Sequence, residues 1–149
     1  MELPSFAPPS KPPYLFTPKP KVLYVADVPE WSFDRKGKDY RKTMTQFDID
    51  IGYANPLVYE KGMGHLFFRE MEKQKHYDVI WHLHECFIPD DNEIGPYVAE
   101  HNKNGTLVLC TINQLYSKEM IEHKKQRLSF FNALSVNNPY CLFNLRECG

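Results

Sequence analysis

The sequence lacks the features that mark several classes of protein. No hydrophobic run approaches the ~20 residues of a membrane helix, and no basic start followed by an apolar stretch marks a secretory signal. The net charge of −1 provides no basic excess for binding nucleic acid. The four cysteines contain no Cys-x-x-Cys pair, which favours reduced thiols over a disulfide framework. These absences predict a cytoplasmic protein with no membrane span and no nucleic-acid partner.

Sequence motifs of common cofactor sites are also missing. Neither Gly-x-Gly-x-x-Gly nor Gly-x-x-x-x-Gly-Lys-Ser/Thr occurs, so a dinucleotide site and a P-loop ATPase are disfavoured. His82 and His84 share one face of a predicted strand, but no second spaced pair of His or Cys ligands accompanies them. We therefore expect no cofactor and no bound metal. A metal-dependent hydrolase centred on these two histidines is the alternative.

Proline is concentrated at the amino terminus, where residues 1–20 hold seven of the twelve prolines. Each proline fixes φ and removes a backbone donor, so this segment is predicted to be an extended arm. Its apolar residues Phe6, Tyr14, Leu15 and Phe16 are candidates for pinning the arm onto the domain. A proline-rich ligand for a partner domain is the alternative.

The remainder, residues 21–149, alternates between predicted strands and helices. Strands are predicted over residues 22–26, 47–53, 77–84, 106–112 and 133–136, and helices over 34–44, 64–73, within 90–104, from 117 onwards, and over 140–146. This alternation predicts a single α/β domain, Rossmann-like and doubly wound, with a mostly parallel sheet of about five strands and flanking helices. Because the last unit begins a helix near the end of the sequence, we expect a domain truncated at its carboxyl terminus.

A polar and aromatic segment, residues 27–35, follows the first predicted strand. Asp27 and Glu30 are predicted to accept hydrogen bonds from sugar hydroxyls, Trp31 to stack on a sugar or base, and Arg35 to pair with a phosphate. Asp34 is counted with them as a substrate-binding residue. The alternative is a helix-capping loop with Trp31 packed into the core.

Polar residues also follow the third and fourth predicted strands. His84, Glu85 and Asp27 are the candidate catalytic bases. Asn113 and Gln114 are predicted to form hydrogen bonds with substrate hydroxyls, or equally to cap a turn. Trp31, His84 and Asn113 are expected to line one depression at the same edge of the sheet. The basic run at residues 124–127 is expected to be a solvated helix face.

Residues 21–35, Lys-Val-Leu-Tyr-Val-Ala-Asp-Val-Pro-Glu-Trp-Ser-Phe-Asp-Arg, resemble the opening of some bacterial and phage glycosyltransferases with the GT-B architecture. Looser resemblances extend over residues 47–52, 77–82, 106–112 and 133–138. In such enzymes this half binds mainly the acceptor, and a carboxyl-terminal domain binds the nucleotide-sugar, often through an acidic Glu-x7-Glu motif.

The resemblance implies the acceptor-side domain of a GT-B enzyme. Sugar transfer from a nucleotide-sugar to an acceptor would then require a carboxyl-terminal donor domain or a partner chain. The 149-residue chain by itself is expected to be inactive in transfer. The alternative is a non-catalytic α/β module that binds carbohydrate or protein.

Overall fold

The computed structural model describes residues 18–63, 66–114 and 116–149. Its strands are β1 (Lys21–Ala26), β2 (Asp48–Tyr53), β3 (Val79–His82), β4 (Leu107–Ile112) and β5 (Ala133–Val136). Its main helices are α1 (Ser32–Thr43), α2 (Phe68–Gln74), α3 (Asp91–Lys103), α4 (Lys118–Ser129) and α5 (Pro139–Cys148). The strands form one sheet, parallel throughout, in the order β2-β1-β3-β4-β5. The predicted Rossmann-like doubly wound fold is confirmed.

Most element boundaries lie close to their predicted positions. The signals at the helix ends are confirmed: the Ser117 side chain accepts a hydrogen bond from the Met120 amide, and Gly105 follows α3 with a φ of 79°. The third strand is shorter than predicted and ends at His82. Most of the predicted arm, residues 1–17, lies outside the described residues.

Both faces of β1 are buried, as a parallel sheet requires. Val22 and Tyr24 point to the first face of the sheet, which α1 covers, and Leu23 and Val25 point to the second face, which α2 and α3 cover. Gly37 allows α1 to lie close to this sheet, because a Cβ at that position would be 2.6 Å from the Tyr24 ring. Among the described residues, no helix combines the length and apolar character of a bilayer span.

The strand order places a topological switch point between β1 and β3. The chain leaves β1 for β2 on one side, and later returns to pair β3 on the other side of β1. Val25 is opposite His82 in this register, and the Leu83 amide continues the pairing by donating to the Val25 carbonyl at 3.1 Å. Two residues further along, Asp27 and His84 follow the two strands in the same register. Ligands of open α/β sheets bind outside the carboxyl ends of strands at such a point.

Candidate functional site

Polar residues from four strands meet at the carboxyl edge of the sheet. The Asn113 side-chain amide donates to the Leu83 carbonyl, and the Asn137 side-chain amide donates to the Asn113 side-chain oxygen. Asn113 therefore connects the loops after β3, β4 and β5. Trp31, His84 and Asn113 follow β1, β3 and β4, whose carboxyl ends lie side by side, so all three occur at the predicted edge. That they line a single depression stays a prediction.

The loop between β1 and α1 is held by a buried carboxylate, Asp34. Its Oδ2 accepts from the Glu30 amide at 2.8 Å, its Oδ1 accepts from the Tyr53 hydroxyl at 2.7 Å, and Lys38 Nζ lies 2.8 Å from Oδ2. Burial favours a raised pKa for Asp34, but these hydrogen bonds outweigh burial and lower the pKa. Asp34 is fully buried and occupied by protein groups, so the structure gives it a loop-anchoring role in place of the predicted ligand contact.

Glu30 is the one non-glycine residue in the described parts of the chain with a left-handed backbone, at φ 67°. Its side chain is exposed and forms an ion pair with Lys38 at 2.7 Å. A left-handed conformation costs a residue with a Cβ about 1–2 kcal/mol. Such strain is found where surrounding contacts enforce it, often beside a functional site. Here the enforcing contact is the Glu30 amide on Asp34.

Replacing Glu30 with Gly is expected to give a more stable protein than replacing it with Ala, by about 1 kcal/mol. Both changes remove the exposed ion pair with Lys38, so their difference isolates the cost of the left-handed backbone. Glu119→Gly and Glu119→Ala, in the first turn of α4, form the matched control, where Ala should be the more stable. Urea denaturation of the four variants measures both differences. Glu30→Ala being more stable than Glu30→Gly would contradict the strain.

The other predicted ligand-binding residues of this segment differ in their exposure to solvent. Trp31 is 65% exposed, so the alternative that it packs into the core is wrong. Arg35 is exposed on the first turn of α1, where the predicted pairing with a phosphate is sterically open. Asp27 is half-buried, and its Oδ1 has no hydrogen-bond partner among the described residues. This loop therefore exposes an indole ring and places a half-buried carboxylate at its start.

Glu85 lies just beyond β3 and is 1% exposed. Its Oε1 accepts from the Tyr116 hydroxyl at 2.5 Å and from Lys124 Nζ at 2.5 Å. Burial raises the pKa of Glu85, but the hydrogen bonds from Lys124 and Tyr116 outweigh it and lower the pKa to about 2. A carboxylate held this firmly in its ionised form is a weak proton acceptor. The structure thus disfavours Glu85 as the catalytic base.

His84 is the basic group that remains at this strand end. Its Nδ1 lies 3.1 Å from the Cys86 backbone nitrogen and 3.2 Å from Glu85 Oε2. An unprotonated Nδ1 accepts from the Cys86 amide, whereas a protonated Nδ1 donates to Glu85. The position of one proton therefore decides which contact is a hydrogen bond. An imidazole oriented by a neighbouring carboxylate in this way has the geometry of a general base.

The same three residues form the group of metal-ligand types that lies closest together in the described parts of the chain. The ligand atoms of His84, Glu85 and Cys86 all fall within 4.8 Å of one another. Lys124 already holds Glu85 Oε1, and its positive charge opposes a metal ion at this position. The cluster therefore fits an ion pair with a neighbouring imidazole better than a metal centre.

The basic run at residues 124–127 is not the solvated face expected from the sequence. Lys124 reaches Glu85, and Arg127 Nη1 donates to the carbonyls of Glu85 and Ile88, both at 2.7 Å. The expectation was wrong for these two residues and holds for Lys125, which is exposed. A signal was present in the sequence, since residue 124 shares a helical stripe with the apolar residues at 121 and 128.

His82, in contrast, belongs to the core. It is 1% exposed, and its ring lies in edge contact with Phe68 and Tyr97. Tyr97 donates its hydroxyl hydrogen to Glu72, so His82 Nε2, 3.1 Å from the Tyr97 oxygen, must be the protonated nitrogen. Burial lowers the pKa of His82 to about 3. This placement removes His82 from the pair on which the metal-dependent hydrolase alternative depended.

Three buried side-chain atoms in the described residues have no hydrogen-bond partner: Asp27 Oδ1, His82 Nδ1 and Glu85 Oε2. All three belong to β1, β3 or the residues that follow them, on the two sides of the switch point. Buried polar atoms in folded proteins are usually hydrogen-bonded. Two of the three are carboxylate oxygens at carboxyl strand ends, and one of them, Glu85 Oε2, lies 3.2 Å from His84 Nδ1.

Comparisons with protein-family models, with curated proteins and with solved structures find no match for this chain. The functional argument therefore rests on the geometry of the carboxyl edge.

Proposed function

We propose that this chain is a carbohydrate-binding α/β domain that forms the acceptor side of a glycosyltransferase. The observation that carries the proposal is the indole of Trp31, 65% exposed on the loop after β1, at the same sheet edge as Asp27 and His84, which follow neighbouring strands in register. Sugars offer the complementary chemistry, because their hydroxyls donate hydrogen bonds and their ring faces are apolar. Ligand sites of this type combine aromatic surface with a few convergent polar groups.

Each residue of the site has a proposed part in binding the acceptor. Asp27 accepts a hydrogen bond from an acceptor hydroxyl, and Trp31 stacks against the sugar ring. His84 takes the proton from the attacking hydroxyl on Nε2, in the state in which Nδ1 carries a proton and donates to Glu85. Glu85 positions His84 and stabilises its protonated form through the 3.2 Å contact. Because Asn113 is engaged with Leu83 and Asn137, it supports the loops instead of reading hydroxyls.

The proposed reaction also requires groups that bind the nucleotide-sugar donor. The departing nucleoside diphosphate needs positive or dipolar stabilisation. Arg35 and Gln114 are both exposed and are proposed to contribute at the edge of the site. A donor-binding domain or partner chain supplies the remaining contacts to the nucleotide-sugar. Under this proposal the 149-residue chain binds acceptor but does not catalyse repeated sugar transfer by itself.

A non-catalytic carbohydrate-binding module is the second candidate. The ion pair between Glu85 and Lys124 favours this candidate, because it engages one of the three candidate catalytic bases. Both candidates predict sugar binding at Trp31. They differ in whether transfer appears when a donor-binding polypeptide is added to the chain.

The test of the proposal is calorimetric titration of the chain with a panel of mono- and oligosaccharides and nucleotide-sugars. Trp31→Ala is expected to weaken binding by about tenfold or more, or ~1.4 kcal/mol, because the stacking surface is lost. The matched control is Trp81→Phe, which alters the other tryptophan, a half-buried ring stacked on Tyr40. Binding that is insensitive to Trp31→Ala, or no binding across the panel, would contradict the proposed site.

A further inference from the structure

Half of the first face of the sheet has no helix over it in the described residues. Helix α1 covers β1 and β2 on this face and stacks Tyr40 on Trp81 of β3, but β4 and β5 present apolar side chains beyond it. Leu107 in β4 is 51% exposed, Ala133 in β5 is exposed, and Leu109 is half-buried. Strands of a parallel sheet are normally covered on both faces. We therefore expect another segment of polypeptide to cover this surface.

The uncovered surface forms a groove of about 260 Å³. Its lining contains no charged residue and includes Val22, Phe47, Trp81, Leu109 and Ala133. Two aromatic rings, Phe47 and Trp81, lie on its α1 side. The groove thus favours an uncharged, apolar partner.

We propose that the amino-terminal arm of this chain, residues 1–17, occupies the groove, with the apolar segment at residues 14–16 as its anchor. The arm joins the sheet beside the groove. The Pro20 carbonyl accepts from the Asp48 amide at 2.9 Å, and the Lys21 amide donates to Asp78 Oδ2 at 2.7 Å. Val22, the next residue, already lines the groove. The chain therefore enters β1 at the open end of this surface.

The arm is long enough to cross the groove. Phe16 precedes Lys21 by five residues, which span about 15 Å in a polyproline-II conformation at ~3.1 Å per residue. The distance from β1 to β5 is three strand spacings, or about 14 Å at ~4.8 Å each. The segment at residues 14–16 thus reaches β5 without any change at β1.

The composition of the arm matches the lining of the groove. Residues 1–17 contain two charged side chains, Glu2 and Lys11, both remote from residues 14–16. The prolines have no backbone N–H group, so the arm buries few unsatisfied donors when it lies on an apolar surface. Proline-rich segments bind aromatic-lined grooves in several recognition domains by the same physics. Phe47 and Trp81 provide such a lining.

The experiment uses Trp81 as a reporter in a Trp31→Phe background, where it is the single tryptophan. Leu15→Asp places a charge in the anchor and is expected to shift Trp81 emission to the red and to increase its quenching by acrylamide. Removal of residues 1–17 should produce the same shift. Ser10→Asp, which adds the same charge outside the anchor, is the matched control and should leave Trp81 unchanged.

A second measurement uses the unaltered chain, so it does not require any variant to fold. It looks for nuclear Overhauser effects between the Leu15 methyl groups and the Trp81 ring. Their presence supports the proposal, and their absence overturns it. Trp81 emission that is unaffected by removal of the arm also overturns it. If light scattering shows a dimer that keeps Trp81 shielded after the arm is removed, the occupant is a second copy of the chain.

Discussion

Replacing Lys124 with Met is expected to lower the free energy of unfolding by about 3–5 kcal/mol. The substitution keeps an unbranched apolar side chain but removes the ammonium group that lies 2.5 Å from Glu85 Oε1. Glu85 is 1% exposed, so its negative charge would stay buried beside Tyr116, Cys86 and the His84 imidazole, without its ammonium partner. Breaking a buried ion pair costs far more than losing an exposed one. Urea denaturation at neutral pH measures the loss.

Lys125→Met is the matched control, since Lys125 is the next residue of α4 and is exposed. Its Nζ donates to the Cys148 carbonyl at 2.6 Å, and its loss is expected to cost less than about 1 kcal/mol. Adding Glu85→Gln to Lys124→Met should recover part of the stability, because no unpaired charge is then left in the interior. Equal losses for Lys124→Met and Lys125→Met would contradict a buried ion pair.

Acidification from pH 7 to pH 5 is expected to lower the free energy of unfolding by about 2 kcal/mol through His82 alone. The unfolded chain takes up a proton on this imidazole near its ordinary pKa of 6.5, whereas the folded protein does so only near pH 3. Between these values the unfolded state binds more protons, so stability falls as the pH falls. Burial is the main cause, and the nearby His101 and Arg69 add to it.

Denaturant unfolding at several pH values, for the parent chain and for His82→Gln, measures this contribution. His82→Gln removes the titrating group and should flatten the dependence between pH 7 and pH 5, even if it lowers stability at both. His76→Gln alters an exposed histidine and is expected to keep the parent's dependence. A parent chain whose stability is constant over this range would show that His82 does not stay neutral in the fold. Below about pH 4.5, protonation of Glu85 adds a second loss, because its folded pKa of about 2 also lies below its ordinary value.

The fold was predictable because its signals are local. The apolar run at residues 22–26, the serine before α4 and the glycine after α3 each report on a few neighbouring residues. The predicted helix over residues 64–73 was misplaced at its start, since α2 begins at Phe68. The order of the strands was not predictable in this way, because it depends on where each crossover packs.

The candidate site was only partly predictable, because its chemistry depends on contacts between distant residues. Glu85 and Lys124 are 39 residues apart, and their contact requires α4 to lie against the end of β3. Asp34 is likewise buried because Tyr53, 19 residues later, reaches its Oδ1. The sequence located the carboxyl ends of four of the five strands, but it did not distinguish carboxylates that are open to a ligand from those already engaged.

The strand order leaves β2 and β5 at the two edges of the sheet, and these edges differ in charge. β2 carries Asp48 and Asp50, with Lys75 Nζ 2.7 Å from Asp50 Oδ2, whereas β5 consists of the uncharged residues Ala-Leu-Ser-Val. Charged side chains discourage an edge strand from pairing with strands of other molecules. A strand from another polypeptide would therefore pair more readily with β5 than with β2. Enlargement or aggregation of this sheet is accordingly expected to proceed from the β5 edge.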